Sequence, residues 1–186
     1  MKRLRNILLT IAALLLSAYL FRGFLYRHTV DYKIVSRRTS YIISNDSLSS
    51  FISQSIEENQ KTDVRSLTNL AIDITADKLN YCISNTRNDP NQLITHQRAH
   101  CVGYAAFTAT VCNELFRKFN LKEWKATPEV GHLYFLGMNV HNWFNSPFLA
   151  DHDFVLIENK TTGERLLVDP TISDYLDINF VTERIE

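Results

Sequence analysis

Residues 153–169, with the sequence DFVLIENKTTGERLLVD, decide the fold that this 186-residue chain is expected to adopt. Two apolar stretches flank the turn-forming pair Thr162-Gly163, and this arrangement predicts an antiparallel β-hairpin. The second stretch ends at Pro170, whose nitrogen cannot donate a hydrogen bond within a sheet. We therefore predict paired strands at residues 153–158 and 164–169.

The chain before this hairpin has the periodicity of helices. Apolar residues recur at steps of three and four over three segments, residues 46–59, 64–83 and 100–119. A loop is predicted at residues 85–92, which contain Asp89-Pro90, and a further strand at residues 133–140. Helices first and strands afterwards predict an α+β fold, with the helices packed against an antiparallel sheet.

The first 40 residues have the pattern of a membrane anchor followed by a tether. A basic leader, MKRLRN, precedes an apolar run at residues 7–21, which as a helix spans about 22 Å. Extension to residue 26 gives a membrane contact at residues 7–26, close to the length that crosses a bilayer core. A secretory signal peptide shows the same pattern, but no good small-x-small cleavage site follows the run. We therefore predict an uncleaved anchor and tether at residues 1–40 and one domain at residues 41–186.

The sequence says less about the side of the membrane on which the domain lies than about the anchor itself. Lys and Arg flank the apolar run on both sides, so counting loop charges leaves the orientation open. The signal-like order of basic leader and apolar run favours a single-pass anchor with the domain outside the cytoplasm.

The net charge of zero is the sum of a basic N-terminal segment and an acidic domain. Residues 1–40 hold eight Lys and Arg against one acidic residue, whereas residues 41–186 hold twelve against nineteen. A domain that binds nucleic acid carries a basic patch on its folded part. Here the folded part is acidic, so we expect no binding to nucleic acid.

Three side chains of the domain have the types and positions of a thiol-based catalytic site. Cys101 begins the third predicted helix, where unpaired backbone N–H groups and the helix dipole favour a thiolate. His152 precedes the first hairpin strand and Asp169 ends the second. They lie opposite each other if paired residue numbers sum to 321, and a one-residue shift of the turn centre leaves them diagonal neighbours on one face. A carboxylate beside an imidazole fixes its tautomer, while the other ring nitrogen serves the thiol.

The residues around these three positions resemble the transglutaminase-like superfamily. The matching segments are RAHCVGYA at residues 98–105, DHDFV at residues 151–155 and LVDPT at residues 167–171. They place Cys, His and Asp in the order found in that family, and the resemblance covers roughly residues 93–174. Many members have an aromatic residue directly after the His, whereas this chain has Asp153, a difference that bears on the shape of the cleft.

The resemblance implies a papain-like core and a role for each residue of the trio. Cys101 would be the nucleophile, His152 the general base and acid, and Asp169 the residue that orients His152. The amide of Gln97 and the backbone N–H of Cys101 are candidate donors to the oxyanion. The expected reaction opens an amide or peptide bond of a peptide or protein substrate through an acyl-thioester. Water, rather than an amine, is the expected acceptor of the acyl group. No cofactor is expected.

Two other interpretations remain open. In the first, the same cleft belongs to a catalytically inactive, membrane-tethered binding module. In the second, His96 and His100, four residues apart, hold a structural zinc together with Cys101. Gln97 stands where a zinc metalloprotease needs Glu, so that type of enzyme is excluded and we predict no metal.

The remaining candidate residues are expected to have structural roles. Cys82 and Cys112 are predicted to pack in the core, and in an exported domain they could form a disulfide. Asp151 and Asp153 are expected on the strand face opposite His152, as solvated charges. His141 is expected to be a satisfied or surface histidine.

Overall fold

The computed structural model describes residues 2–57, 62–84 and 87–185. Within these residues the α-helices are α1 (Lys2–Leu20), α2 (Arg22–Thr29), α3 (Asp46–Glu57), α4 (Val64–Lys78), α5 (Pro90–His96), α6 (Cys101–Lys118) and α7 (Pro170–Leu176). The strands are β1 (Val30–Arg37), β2 (Asn80–Tyr81), β3 (Arg98–Ala99), β4 (Trp124–Phe135), β5 (Met138–Asn139), β6 (His152–Asn159), β7 (Arg165–Val168) and β8 (Thr182–Glu183). The predicted α+β class is confirmed.

Six of the strands form one mixed sheet. Its order is β7-β6-β4-β1-β8, with β5 paired to β4, and β2 and β3 form a separate parallel pair. The neighbours from β7 to β1 are antiparallel, whereas β8 runs parallel to β1. The prediction of a purely antiparallel sheet is therefore wrong at this edge, because α7 and the residues after it carry the chain from β7 back to β1.

Residues 181 and 182 pair with strands at opposite sides of the sheet, β7 and β1. Val181 bridges to Leu167 in β7, and the next residue, Thr182, pairs with Asp31 in β1. The sheet therefore curls until β7 and β1 approach each other, although β6 and β4 separate them in the strand order. Residues that follow β7 can thus contact side chains of β1.

Strand β6 is buried on both of its faces. Phe154 and Leu156 lie on the inner face of the curled sheet, in a small cluster with Tyr32 of β1. Val155 and Ile157 alternate with them and belong to the larger core on the outer face, which contains the buried residues of α4 and α6. A strand covered on both sides is apolar along its length, as the run at residues 154–157 is.

One helix prediction and one loop prediction need correction between residues 78 and 96. Helix α4 ends at Lys78 rather than near residue 83, because Leu79 is extended and the next two residues form β2. The predicted loop at residues 85–92 contains the beginning of α5, where Asp89 caps the helix and Pro90 occupies its first turn. Residues 85 and 86, like the predicted end of the first helix at residue 59, lie outside the described residues.

The strand predictions are right in kind but displaced in position. Strand β4 begins at Trp124, and the predicted strand at residues 133–140 straddles its turn into β5, where Leu136 and Gly137 have positive φ. In the hairpin, Val155 pairs with Val168, so paired numbers sum to 323 rather than 321. The hairpin thus adopts the shifted register, which keeps residues 152 and 169 on one face.

The N-terminal segment divides at Phe21 into a free helix and a helix that contacts the domain. Residues 3–20 of α1 have a mean hydropathy of 1.4 and are unburied, and the helix is long and apolar enough to cross a membrane. In α2, by contrast, Arg22 binds the carbonyl of Leu176 and Tyr26 binds Tyr32. A boundary at residue 40 would also separate β1 from its partner β4.

Candidate functional site

Cys101 is the first residue of α6, the longest helix of the domain core. The preceding residue, His100, is extended and caps the helix, with its Nδ1 accepting a hydrogen bond from the N–H of Val102 at 3.3 Å. As the first helical residue, Cys101 has a backbone N–H without an acceptor inside the helix. Its side chain is buried, with 8% of the residue exposed.

His152 and Asp169 are in direct contact. Nε2 of His152 lies 2.6 Å from Oδ2 of Asp169, as the shifted hairpin register allows. The other oxygen of Asp169, Oδ1, caps α7 by accepting the N–H groups of Thr171 and Ile172 at 3.0 and 3.2 Å. One carboxylate therefore fixes both the start of α7 and the orientation of the imidazole.

The thiol of Cys101 lies beside the same imidazole. Cys101 is among the groups that raise the pKa of His152, after Asp169, which places the sulfur next to the ring. Because Nε2 faces the carboxylate, the ring nitrogen left for the thiol is Nδ1. The three side chains therefore lie in the order sulfur, imidazole, carboxylate.

The positive charge of His152 and the negative charge of Asp169 stabilise each other. Burial disfavours a charged imidazole, but the negative charge of Asp169, its hydrogen bond and the contact with Cys101 raise the pKa of His152 well above its ordinary value. Burial likewise opposes a charged Asp169, yet His152 and the hydroxyl of Tyr32 hold the pKa of this carboxyl below its ordinary value. The arrangement thus favours an imidazolium–carboxylate pair beside the sulfur.

Tyr32 is a residue of the site that sequence reasoning missed. It lies in β1 and its O–H donates to Oδ2 of Asp169 at 2.8 Å. The ring also packs edge-on against Phe154, with centroids 5.1 Å apart. The alternation of VDYKIVSR at residues 30–37 is a signal for a strand, whereas their position after the apolar run predicts a tether.

Asp153 is buried rather than solvated, which contradicts the prediction for it. Its two oxygens bind Nε and Nη2 of Arg38 at 2.9 and 3.1 Å, a bidentate pair. The face predicted for it was right, but that face is covered by the core of α6, so the carboxylate requires a partner. The hydrogen bond to Asp153 is the main cause that raises the pKa of Arg38, and the charge of Cys101 contributes to this, which places Arg38 near the thiol.

Gln97 is not placed with the trio. It ends α5 with a positive φ of 59° and lines a shallow groove together with Phe51 of α3 and Lys78 of α4. Cys101, by contrast, begins α6, and its backbone N–H has no acceptor within the helix.

The other predicted candidates have different surroundings. The imidazole of His96 binds Arg87, and among the described residues no group of three His, Cys, Asp or Glu side chains is arranged to hold a metal ion. Both ring nitrogens of His141 are engaged, by the N–H of Leu133 and the carbonyl of Leu149. Cys82 and Cys112 are free thiols, so the disulfide left open by the sequence is absent between them.

Comparison of the chain with protein-family models, with curated proteins and with solved structures finds no match. The function is therefore inferred from the side chains and their arrangement.

Proposed function

We propose that this protein is a thiol enzyme that opens an amide or peptide bond of a peptide or protein substrate through an acyl-thioester. The observation that carries the proposal is the 2.6 Å contact between His152 and Asp169, with Cys101 close enough to the imidazole to raise its pKa. A nucleophile, a proton carrier and a residue that orients the carrier are the parts that such chemistry requires.

The reaction follows from these positions. The Cys101 thiolate attacks the carbonyl carbon, a C–S bond forms, and the negative charge that develops on the carbonyl oxygen faces the N-terminal end of α6. The C–N bond then breaks, and the leaving amine takes a proton from the His152 imidazolium. Water, deprotonated by His152, attacks the acyl-thioester and releases the acid and the thiolate.

Two further observations support the assignment. The motifs at residues 98–105, 151–155 and 167–171 resemble the transglutaminase-like superfamily. The cysteine begins a core helix and the histidine begins a strand that leads into a curled sheet, an arrangement expected of a papain-like core. A water acceptor is proposed because no feature of the sequence identifies a site for an amine.

We also propose that α1 anchors the enzyme in a membrane, with the domain outside the cytoplasm. Its eighteen apolar-rich residues correspond to about 27 Å of helix, near the thickness of the hydrocarbon core. The predicted contact at residues 7–26 is longer than this, but Arg22 and Tyr26 bind the domain, so we place the membrane segment within α1.

A binding module is the second candidate, and the low exposure of the thiol favours it. Only 8% of Cys101 and 17% of the His152 side chain are exposed, so the cleft would have to widen before a substrate carbonyl could reach the sulfur. If the protein keeps its biological activity as Cys101→Ser, the cleft serves binding rather than catalysis.

Alkylation with iodoacetamide tests the enzyme proposal. At pH 6 we expect Cys101 to react at least about tenfold faster than Cys82 and Cys112, because the imidazolium stabilises its thiolate. His152→Ala should abolish this advantage without changing the rates of the other two thiols, which are the internal controls. Equal rates for the three cysteines in the folded protein would contradict the mechanism.

A further inference from the structure

A chain of hydrogen-bonded tyrosines leads away from the His152–Asp169 pair. Oδ2 of Asp169 accepts the O–H of Tyr32 at 2.8 Å, and the hydroxyl oxygen of Tyr32 lies 2.6 Å from that of Tyr26. Because Tyr32 donates its proton to Asp169, its oxygen accepts the proton of Tyr26. Both hydroxyl protons therefore point toward the carboxylate, and each bond in such a chain strengthens the next.

The second tyrosine belongs to α2, the helix that directly follows α1. Another residue of α2, Arg22, donates from Nε to the carbonyl of Leu176 at 2.6 Å and pairs with Asp177. Those two residues lie at the C-terminal end of α7, the helix that Asp169 caps at its other end. Helix α2 is thus connected to both ends of α7.

The tyrosine hydroxyls act on a carboxylate that is fully buried. Asp169 accepts two backbone N–H groups at Oδ1, and Tyr32 together with His152 at Oδ2. Phenylalanine at position 32 would fill the same space against Phe154, so packing alone does not account for a tyrosine there. The hydroxyl supplies one of the donors that keep the carboxylate charged and in place.

We infer that Tyr32 and Tyr26 are positioning residues for the Asp169–His152 pair, and that helix α2 is thereby a part of the site. The inference rests on the proposed function only for its effect on catalysis. The effect on the carboxyl itself is independent of whether the thiol reacts.

The experiment compares Tyr32→Phe, Tyr26→Phe and the double variant in the full-length protein, held in detergent micelles. The first readout is the titration of the Asp169 carboxyl by 13C NMR. The second is the pH dependence of the alkylation of Cys101 by iodoacetamide. Together they separate an effect on the carboxylate from a general loss of structure, which would expose the thiol and give its alkylation the pH dependence of an ordinary cysteine.

In Tyr32→Phe, we expect the titration midpoint of Asp169 to rise by about one pH unit, since the charged form loses a hydrogen bond. Alkylation should fall less than about twofold at pH 5 and remain unchanged at pH 7.5, because a carboxyl whose pKa starts below its ordinary value is still mostly charged at pH 5 after a rise of about one unit. The larger fall should appear only at more acidic pH. Tyr26→Phe should give a smaller shift in the same direction. The double variant should match Tyr32→Phe alone, because Tyr26 acts through Tyr32.

Tyr104→Phe is the matched control. Tyr104 is a buried tyrosine of α6 whose hydroxyl binds Asp174 at 2.9 Å and the carbonyl of Leu79 at 3.0 Å, outside the trio. Its loss should lower the melting temperature but leave both pH profiles unchanged.

An unchanged Asp169 titration in folded Tyr32→Phe would overturn the inference, as would additive shifts in the double variant. If Tyr32→Phe does not fold, the test uses Tyr26→Phe, since Tyr26 is only partly buried. An unchanged titration midpoint of Asp169 in Tyr26→Phe would then contradict the hydrogen-bonded connection from Tyr26 through Tyr32 to Asp169. If Cys101 is unreactive in the wild type, the proposed function fails, while the carboxyl titration still tests the inference.

Discussion

The two faces of the sheet near the start of β6 each contain a fully buried carboxylate, and the two carboxylates have different partners. On the inner face, Asp169 binds His152 and Tyr32. On the outer face, Asp153 binds Arg38 through two hydrogen bonds. Both arrangements neutralise a buried negative charge, so burial and pairing alone do not distinguish a catalytic carboxylate from a structural one.

The two partners differ in whether they can gain and lose a proton near neutral pH. An imidazole gains and loses a proton near neutral pH and has a second nitrogen for a reacting group. A guanidinium remains charged and only donates hydrogen bonds. Asp169 can therefore support proton transfer to and from the thiol, whereas the Arg38–Asp153 pair fixes the end of β1 to β6 and holds a constant charge near Cys101.

Replacing the inner carboxylate should produce the largest change in reactivity. In Asp169→Asn, the side-chain oxygen can still cap α7, but an amide N–H facing Nε2 of His152 would leave the proton on Nδ1, the nitrogen nearest the thiol. We expect Cys101 alkylation at pH 6 to fall by about a hundredfold or more, because the imidazolium is no longer stabilised. The rate is measured by mass spectrometry of the labelled peptides.

The melting temperature is the control for Asp169→Asn, because a variant that fails to fold would lose reactivity for a trivial reason. A folded Asp169→Asn protein that alkylates as fast as the wild type would remove the functional difference between the two carboxylates.

Replacing the outer carboxylate should instead change stability. Asp153→Asn leaves Arg38 without its charged partner, and we expect the free energy of unfolding to fall by about 2 kcal/mol. The expected loss is below that of a fully buried pair, since 41% of the Arg38 side chain is exposed and can be solvated. Urea denaturation measures it, and Cys101 alkylation at pH 6 should change less than about threefold. A large loss of reactivity at unchanged stability would assign Arg38 and Asp153 to the chemistry.

The sequence predicted the inner pair better than the outer one because the hairpin is local. Residues 152 and 169 belong to strands joined by one turn, and the alternation of side chains places them on one face in either register considered. The same alternation gave the correct face for Asp153. It could not show that this face is covered by α6, since periodicity identifies a face and not what packs against it.

Tyr32 and Arg38 were missed for a related reason. Val30 pairs with Phe135, so β1 joins the sheet through a contact between residues far apart in the sequence. No local pattern specifies such a pairing. β1 comes after α2, and the apolar run in α1 makes residues 1–40 resemble an anchor with its tether. The N-terminal segment nevertheless supplies a hydrogen-bond partner for each of the two carboxylates.

Glu129 of β4 is a third buried carboxyl, and its charged neighbour is more exposed to solvent than Arg38 is. Its side chain is fully buried, and among the described residues neither of its oxygens has a hydrogen-bond partner in good geometry, although one ion pair reaches it. Nε of Arg37 lies 3.0 Å from Oε1, but 66% of the Arg37 side chain is in solvent. Burial, opposed by Arg37, raises the pKa of Glu129 to about 7.

The raised pKa makes the contribution of Glu129 depend on pH with a definite sign. Its neutral form is favoured in the folded state, so this contribution is fully present below a pH of about 4.5 and is lost as the pH rises through about 7. In Glu129→Gln, the fall in unfolding free energy between pH 5 and pH 8 should be smaller than in the wild type by about 2 to 3 kcal/mol. Urea denaturation at both values measures the difference, and the contribution of His152 cancels because both proteins contain it. An identical fall in the two proteins would mean that Arg37 stabilises the charged carboxylate as fully as Arg38 is expected to stabilise Asp153.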